Sequence, residues 1–229
     1  MADERAGPHA ELVSARYEVP YKPDRFHRTA LLLEWVGKDK DVLELGCSTG
    51  FISRLLREQG CRVTGVENDP EAARKAAAWC ERVITADLDR SDWWGELPAR
   101  ASFDVVLLGD VLEHLVHPEE VMRRIRPLLK PGGYVAISLP NVVHWQTRLK
   151  IVRGRFDYEP TGTLDATHLR FFTPRTARAF LHDAGYRVLA FHPAIGGRMS
   201  GHLRPVWQIL AHRMPGLFAF QMLFRAAPQ

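Results

Sequence analysis

Between residues 41 and 139 the sequence alternates strand-length apolar runs with helical patterns, and few folds accept that alternation. Strand patterns fall at 41–45, 61–67, 82–86, 103–108 and 134–139. Helical patterns cover 51–59, ended by Gly60; a segment opened by Asp69-Pro70 and running to about Cys80; and 118–130, stopped by Pro131-Gly132-Gly133. Aspartate before proline is a strong helix start, because the carboxylate caps free N–H groups and proline needs none. Strands separated by helices return in the same direction and build a parallel sheet covered on both faces.

The flanks are less regular. Residues 24–35 read as an amphipathic helix after a loose start, with Pro20 and Pro23 bracketing a turn. Residues 142–153 look helical and 154–172 look like a long loop, after which Thr173-Pro174 caps a helix to about Gly185. A sixth strand is expected at 186–192, a flexible stretch around 196–201 and a closing strand at 218–225. Two successive strands without an evident crossover fit an antiparallel edge on an otherwise parallel sheet. The expected organisation is one domain over 1–229. It divides into an N-terminal lid and helix (1–37), a ligand-binding core (38–140), an acceptor-side helix and loop (141–185) and closing strands (186–229).

Composition narrows the class. With 46% hydrophobic and 25% charged residues, the chain is neither disordered nor fibrous. No apolar run approaches the roughly 18 residues of a membrane span, and the polar start lacks a secretory apolar segment. The three cysteines, Cys47, Cys61 and Cys80, lie on separate elements without metal-ligand spacing. They read as thiols of a reducing compartment, so a cytoplasmic location is expected. Charge is uneven: residues 148–229 hold 12 Lys/Arg against 4 Asp/Glu. That is either a solvated basic face or a patch for an anionic acceptor, a nucleic acid or a membrane surface.

Chemistry concentrates at strand ends. Gly46 and Gly50 bracket a turn between the first strand and its helix, where a ligand can approach the backbone closely. Glu44 lies two residues before Gly46. It would repel a pyrophosphate but suits the ammonium and sulfonium of S-adenosylmethionine, and the third glycine of the dinucleotide fingerprint is missing. Glu67 ends the second strand 21 residues past Gly46, where an acid accepts from ribose hydroxyls. Asp87-Leu88 ends the third, suited to an adenine amino group and its ring.

The runs 42–50, 65–69 (Gly-Val-Glu-Asn-Asp), 86–88, 103–115 and 129–134 resemble the successive motifs of class I S-adenosylmethionine-dependent methyltransferases. Asp104-Val-Val-Leu-Leu-Gly-Asp-Val-Leu-Glu-His-Leu115 resembles the fourth-strand motif of the small-molecule branch that includes ubiquinone-type O-methyltransferases. The resemblance implies an α/β, Rossmann-like, doubly wound seven-stranded sheet with an antiparallel last strand. It also implies S-adenosylmethionine held by Glu44, Gly46, Ser48, Gly50, Glu67, Asn68, Asp87, Leu88 and Asp110. Ser48 stands where many relatives have glycine.

Other readings compete for the same residues. Gly46-Cys-Ser-Thr-Gly50 also matches the nucleophile elbow of serine hydrolases, but only about 40 residues precede it and no upstream oxyanion loop is present. His114 and His117 could pair on a metal, yet methyl transfer requires none, although some family members bind a diol through Mg²⁺. The expected assignment is therefore no metal.

On the acceptor side, in-line displacement needs alignment, exclusion of water and, for a hydroxyl, a general base. Asp110, His144 and His168 are the candidates. His168 lies in Asp165-Ala-Thr-His-Leu-Arg-Phe-Phe-Thr173, which resembles a bacterial subgroup linked to saccharide and natural-product tailoring. Tyr17, Tyr21, Asn141, Trp145 and Arg170 are candidate substrate contacts. The expected acceptor is a small hydroxylated molecule such as a saccharide or secondary metabolite. An RNA acceptor is the weaker alternative, because a flipped-base element and an appended RNA module are both missing. A non-catalytic partner-binding relative is a further alternative, and a homodimer is compatible with the sequence.

Overall fold

The computed structural model describes residues 28–90, 92–98, 100–196 and 203–229. Tyr17, Tyr21 and most of the expected lid lie outside them. Helix α1 (Arg28–Val36) precedes β1 (Asp41–Leu45), α2 (Phe51–Glu58), β2 (Arg62–Glu67), α3 (Pro70–Ala76) and β3 (Arg82–Thr85). Next come β4 (Phe103–Gly109), α4 (Pro118–Ile125), β5 (Leu129–Pro140), α5 (Trp145–Val152) and α6 (Pro174–Asp183). The chain closes with β6 (Tyr186–Ala194), α7 (Arg204–Arg213), α8 (Pro215–Phe218) and β7 (Gln221–Pro228). The seven strands form one sheet ordered β3-β2-β1-β4-β5-β7-β6. β1 to β5 pair in parallel, and β7 runs antiparallel between β5 and β6.

Alternation along each strand sends side chains to opposite faces, which produces two cores. Val42, Val63, Val105 and Leu107 pack with Leu32 and Val36 of α1 and Leu56 of α2. Leu43, Leu45, Val66, Val106 and Leu108 pack with Met122 and Ile125 of α4 and Leu181 of α6. Each such side chain, fully buried, stabilises the fold by about 1.5–3 kcal/mol. The same alternation places Glu44 on the α2 face, where it meets Ser53. Tyr134 of β5 ties α1 down by donating to the carbonyl of Trp35 at 2.5 Å.

Three expectations about elements need correction. The helix expected over 118–130 ends at Ile125, and β5 starts at Leu129 and runs through Pro131-Gly132-Gly133. Pro127 has no N–H to continue the helical ladder, so a short 3₁₀ turn, Arg126–Leu128, intervenes. The helix expected to reach Cys80 ends at Ala76. The last two strands are not directly successive, because α7 and α8 cross between them. Only Gln208 and Ala211 of α7 are buried, while Val206 and Ile209 are exposed, so the helix carries no apolar stripe to reveal it.

β1 leads into α2 on one side of the sheet's midline and β4 departs on the other, so a crevice opens beyond their carboxyl ends. Its floor is the turn before α2. There Gly46, Ser48 and Gly50 have φ of 68°, 49° and 82°. A β-carbon on Gly50 would lie 2.8 Å from Ala76 Cα and 3.0 Å from the Trp79 ring. Gly50→Ala should therefore lower unfolding stability by about 2–4 kcal/mol, combining left-handed strain with overpacking, as measured by urea denaturation.

Candidate active site

A cavity of about 470 Å³ occupies that crevice. Eight of the nine residues expected to hold the cofactor line it: Glu44, Gly46, Ser48, Glu67, Asn68, Asp87, Leu88 and Asp110. Gly50 is not in the wall, since it packs behind the turn against Ala76 and Trp79. Gly46 is held where a β-carbon would strike Val111 at 2.8 Å. Its N–H and that of Cys47 both donate to the Val66 carbonyl, at 2.8 and 3.1 Å, which fastens the turn to β2.

Glu67 binds the two loops together. Its Oε2 accepts from the Ser48 N–H at 2.8 Å, and its Oε1 accepts from the N–H groups of Asn68 and Asp69, each at 3.0 Å. Each carboxylate oxygen has more than one lone pair, so the group can still accept from ribose hydroxyls. Asp87 Oδ1 accepts from the Asp89 N–H at 2.9 Å. Asp89, which sequence reasoning passed over, also lines the cavity and accepts from the N–H groups of Val116 and His117 at 3.0 and 2.9 Å. Its position two residues after Asp87 was the available signal.

Glu44 is the cavity's buried acid. It is 3% exposed and accepts from Ser53 Oγ at 2.5 Å. Burial pushes its carboxyl up to about 8, against the opposing pull of the Ser53 hydrogen bond.

The far end of the cavity is organised by Asp110, a non-glycine residue with φ of 57°. It pairs with Arg28 of α1 and accepts from Ser138 Oγ at 2.6 Å. Gln221 of β7 donates to it at 3.2 Å and accepts from Arg28 at 3.0 Å. Arg28 and Ser138 also line the cavity.

Beside Asp110 stands His114, which lines the cavity together with Thr167. Thr167 Oγ1 donates to Asp165 Oδ1 at 2.6 Å. With its one hydrogen so engaged, the hydroxyl can only accept from His114 Nδ1, 3.1 Å away, and the Thr167 carbonyl accepts from the same nitrogen at 3.3 Å. Nδ1 therefore carries a proton, and in the neutral ring the lone pair is on Nε2. His168 stands edge-on to His114 with ring centroids 4.8 Å apart, and burial holds its imidazole below the ordinary range. Glu113 is fully buried with neither carboxylate oxygen hydrogen-bonded, and burial followed by the nearby Asp110 charge raises its carboxyl well above the ordinary range. Ligand atoms of Glu113, His114 and His168 all lie within 4.8 Å of one another.

Neither His168 nor the remaining described candidates line this cavity. His144 caps α5, accepting from the Gln146 N–H at 3.4 Å, and burial against Phe220 and Trp145 lowers its imidazole to about 4. Asn141 is fully buried and donates to the carbonyl of Ala219 at 2.7 Å, tying α8 to the end of β5. Arg170 donates to the carbonyl of Val116 at 2.7 Å, and Trp145 packs on His144. Among the described residues, no helix is long and apolar enough to cross a membrane.

Residues 16–190 match the family model described as a methyltransferase domain. The chain belongs to that methyltransferase family. A ubiquinone biosynthesis O-methyltransferase from Idiomarina loihiensis is 31% identical over 186 residues, covering 77% of this chain and 75% of the relative. One from Ralstonia nicotianae is 28% identical over 208 residues, covering 81% and 83%. In fold, the methyltransferase is similar to an S-adenosylmethionine-dependent methyltransferase from Archaeoglobus fulgidus, with TM-score 0.61, 19% identity and coverage of 96% and 94%. It is also similar to the 1,6-didemethyltoxoflavin-N1-methyltransferase of Burkholderia thailandensis, solved with S-adenosylhomocysteine, with TM-score 0.57, 22% identity and coverage of 88% and 76%. This protein is thus an S-adenosylmethionine-dependent methyltransferase. The cavity's charge suits that cofactor, with Glu44, Glu67, Asp87 and Asp110 on its wall.

Glu44 makes cofactor binding depend on pH. Cationic S-adenosylmethionine favours the ionised carboxyl, so below about pH 8 the free protein must release a proton on binding. Affinity should rise with pH, by up to about tenfold per unit, and level off near pH 8. Calorimetry in buffers of differing ionisation enthalpy should detect the released proton, and Glu44→Gln should abolish both effects. A raised carboxyl contributes stability below its unfolded value near 4.5 that is lost as pH climbs to about 8. Glu44→Gln should accordingly raise Tm relative to the parent more at pH 8 than at pH 5.

Proposed function

We propose that this methyltransferase moves the methyl group of S-adenosylmethionine to a hydroxyl of a small ring-bearing molecule, such as a saccharide, a secondary metabolite or a phenol. The observation that carries this reading is the Asp165–Thr167–His114 chain. It engages Nδ1 of a residue that lines the cavity, so that in the neutral ring Nε2 is the nitrogen able to accept a proton. As the acceptor oxygen attacks the sulfonium methyl, Nε2 takes the hydroxyl proton, and the Asp165 charge favours the resulting imidazolium. Asp110 and Ser138 border the same end, where they can orient the acceptor. His168 supports His114 edge-on and positions it.

Aromatic rings continue outward from the histidines. Phe171 lies 6.3 Å from His168, Phe156 lies 5.9 Å from Phe171, and Tyr158 lies 6.1 Å from Phe156. Such faces suit a sugar or aryl ring better than a polyanionic backbone. The names of the relatives, O-methyltransferases of ubiquinone biosynthesis, support oxygen as the atom methylated. The described basic residues of the last third lie outside this cavity wall, which weighs against RNA.

Incubation with methyl-labelled cofactor and a panel of phenols, saccharides and RNA tests the reading. Label on a hydroxyl of a small acceptor supports it, and label only in RNA sinks it. His114→Gln should lower kcat by about 10²–10⁴-fold with a far smaller change in S-adenosylhomocysteine affinity. Thr167→Val, which releases Nδ1, should fall between.

A second reading has its own support in Glu113. A buried carboxyl without a hydrogen-bond partner, beside two histidines, could hold a divalent cation that binds an acceptor diol. Chelation separates the two. Turnover unchanged by a chelator favours His114 as the base, whereas loss restored by Mg²⁺ or Zn²⁺ favours the cation.

A further inference from the structure

Two of the three cysteines meet behind the cofactor turn. Cys47 follows Gly46 and lines the cavity, while Cys80 follows α3, 33 residues later in the chain. Both sulfurs rest against the bare Cα of Gly65 in β2. A β-carbon there would lie 2.7 Å from Cys47 Sγ and 3.2 Å from Cys80 Sγ, so the sulfurs are within about 6 Å of each other. Both thiols are free. Cys61 is remote from them, with its thiol donating to the carbonyl of Gly37 at 3.4 Å.

We propose that Cys47 and Cys80 are an oxidative modification site. A small peroxide converts them to a reversible disulfide that withdraws the cofactor turn from its binding shape. The attacking group is Cys80, which is half-buried, whereas Cys47 is 3% exposed. The neighbouring Cys47 thiol, partly opposed by burial, lowers the Cys80 thiol below its ordinary value, which favours the thiolate. The thiolate attacks one oxygen of hydrogen peroxide and breaks the O–O bond, giving a sulfenic acid and, after protonation, one water. Cys47 then attacks the sulfenic sulfur, its proton leaves with the hydroxyl as a second water, and the S–S bond forms. Two thiols are oxidised by two electrons and one peroxide is reduced.

Two links carry the change to the cavity. Bonding brings the sulfurs to about 2.05 Å, and Cys47 moves with the turn whose Gly46 already abuts Val111. The bond also takes Cys80 away from Ser53, the hydroxyl that donates to Glu44. A cysteine pair that merely fills space predicts neither effect.

Trypsin places the three cysteines on separate peptides, 41–54, 58–62 and 76–82, so the pairing can be read directly. The full chain would be treated with hydrogen peroxide, blocked with iodoacetamide, and divided between peptide mapping and S-adenosylhomocysteine titration. The expected result is peptide 41–54 joined to 76–82, affinity at least about tenfold weaker, and full recovery with dithiothreitol. Cys80→Ser and Cys80→Ala should each bind equally well before and after peroxide, whereas Cys61→Ser should respond as the parent does. Failure of 41–54 and 76–82 to join, unchanged affinity once they are joined, or an equal peroxide effect in both Cys80 variants would each overturn the proposal.

Discussion

Both carboxylate oxygens of Glu67 are engaged by backbone N–H groups, and the shape of the cavity depends on that engagement. One oxygen holds Ser48 in the turn after β1, and the other holds Asn68 and Asp69 at the start of α3. A charge-assisted hydrogen bond of this kind is about twice as strong as a neutral one. The turn is left-handed at three positions and could relax in several directions without such a clasp. With it, Gly46 and Ser48 stay on the floor of the crevice, and the Glu67 carboxylate is already oriented beside them. Binding therefore requires little rearrangement of backbone here.

The sheet and the acids that line its carboxyl edge were legible because they follow from local rules. Alternating periods mark the strands, glycines mark the turn, and an acid at each of three consecutive strand ends marks one edge. The far side of the methyl group was not legible in the same way. From the sequence His114 is legible only as a metal partner of His117, and its part in the proposed chemistry depends on Thr167, 53 residues later. Two backbone bonds make that meeting, since the N–H groups of Leu169 and Arg170 both donate to the carbonyl of Glu113, at 2.8 and 3.0 Å. Loop-to-loop contacts of this sort leave no periodic trace. His144 had the residue type and the location just past β5, yet serves as a helix cap. A histidine's role is set by which nitrogen is engaged and by whom, and spacing carries neither.

The buried acids divide the cavity into two electrostatic regimes. Glu44 and Glu113 are held neutral by desolvation, whereas Asp110 has a guanidinium against it. At Glu44 an incoming sulfonium would thus meet a charge that appears only on binding. That arrangement favours a cationic cofactor over its neutral-sulfur product, which helps the product leave.

Asp110 collects Arg28 from α1, Ser138 from β5 and Gln221 from β7. These residues span nearly the whole described chain, so the rim of the cavity has very high contact order. During synthesis, β1 to β4 can pair while the last strand is still unmade, but Asp110 then lacks one of its three partners. In the folded sheet β7 lies between β5 and β6, so the third partner of Asp110 comes from the strand that closes the sheet. The antiparallel insertion that closes the sheet is thereby also the step that finishes the rim, and a chain cut short before Gln221 would keep much of its core without a completed rim.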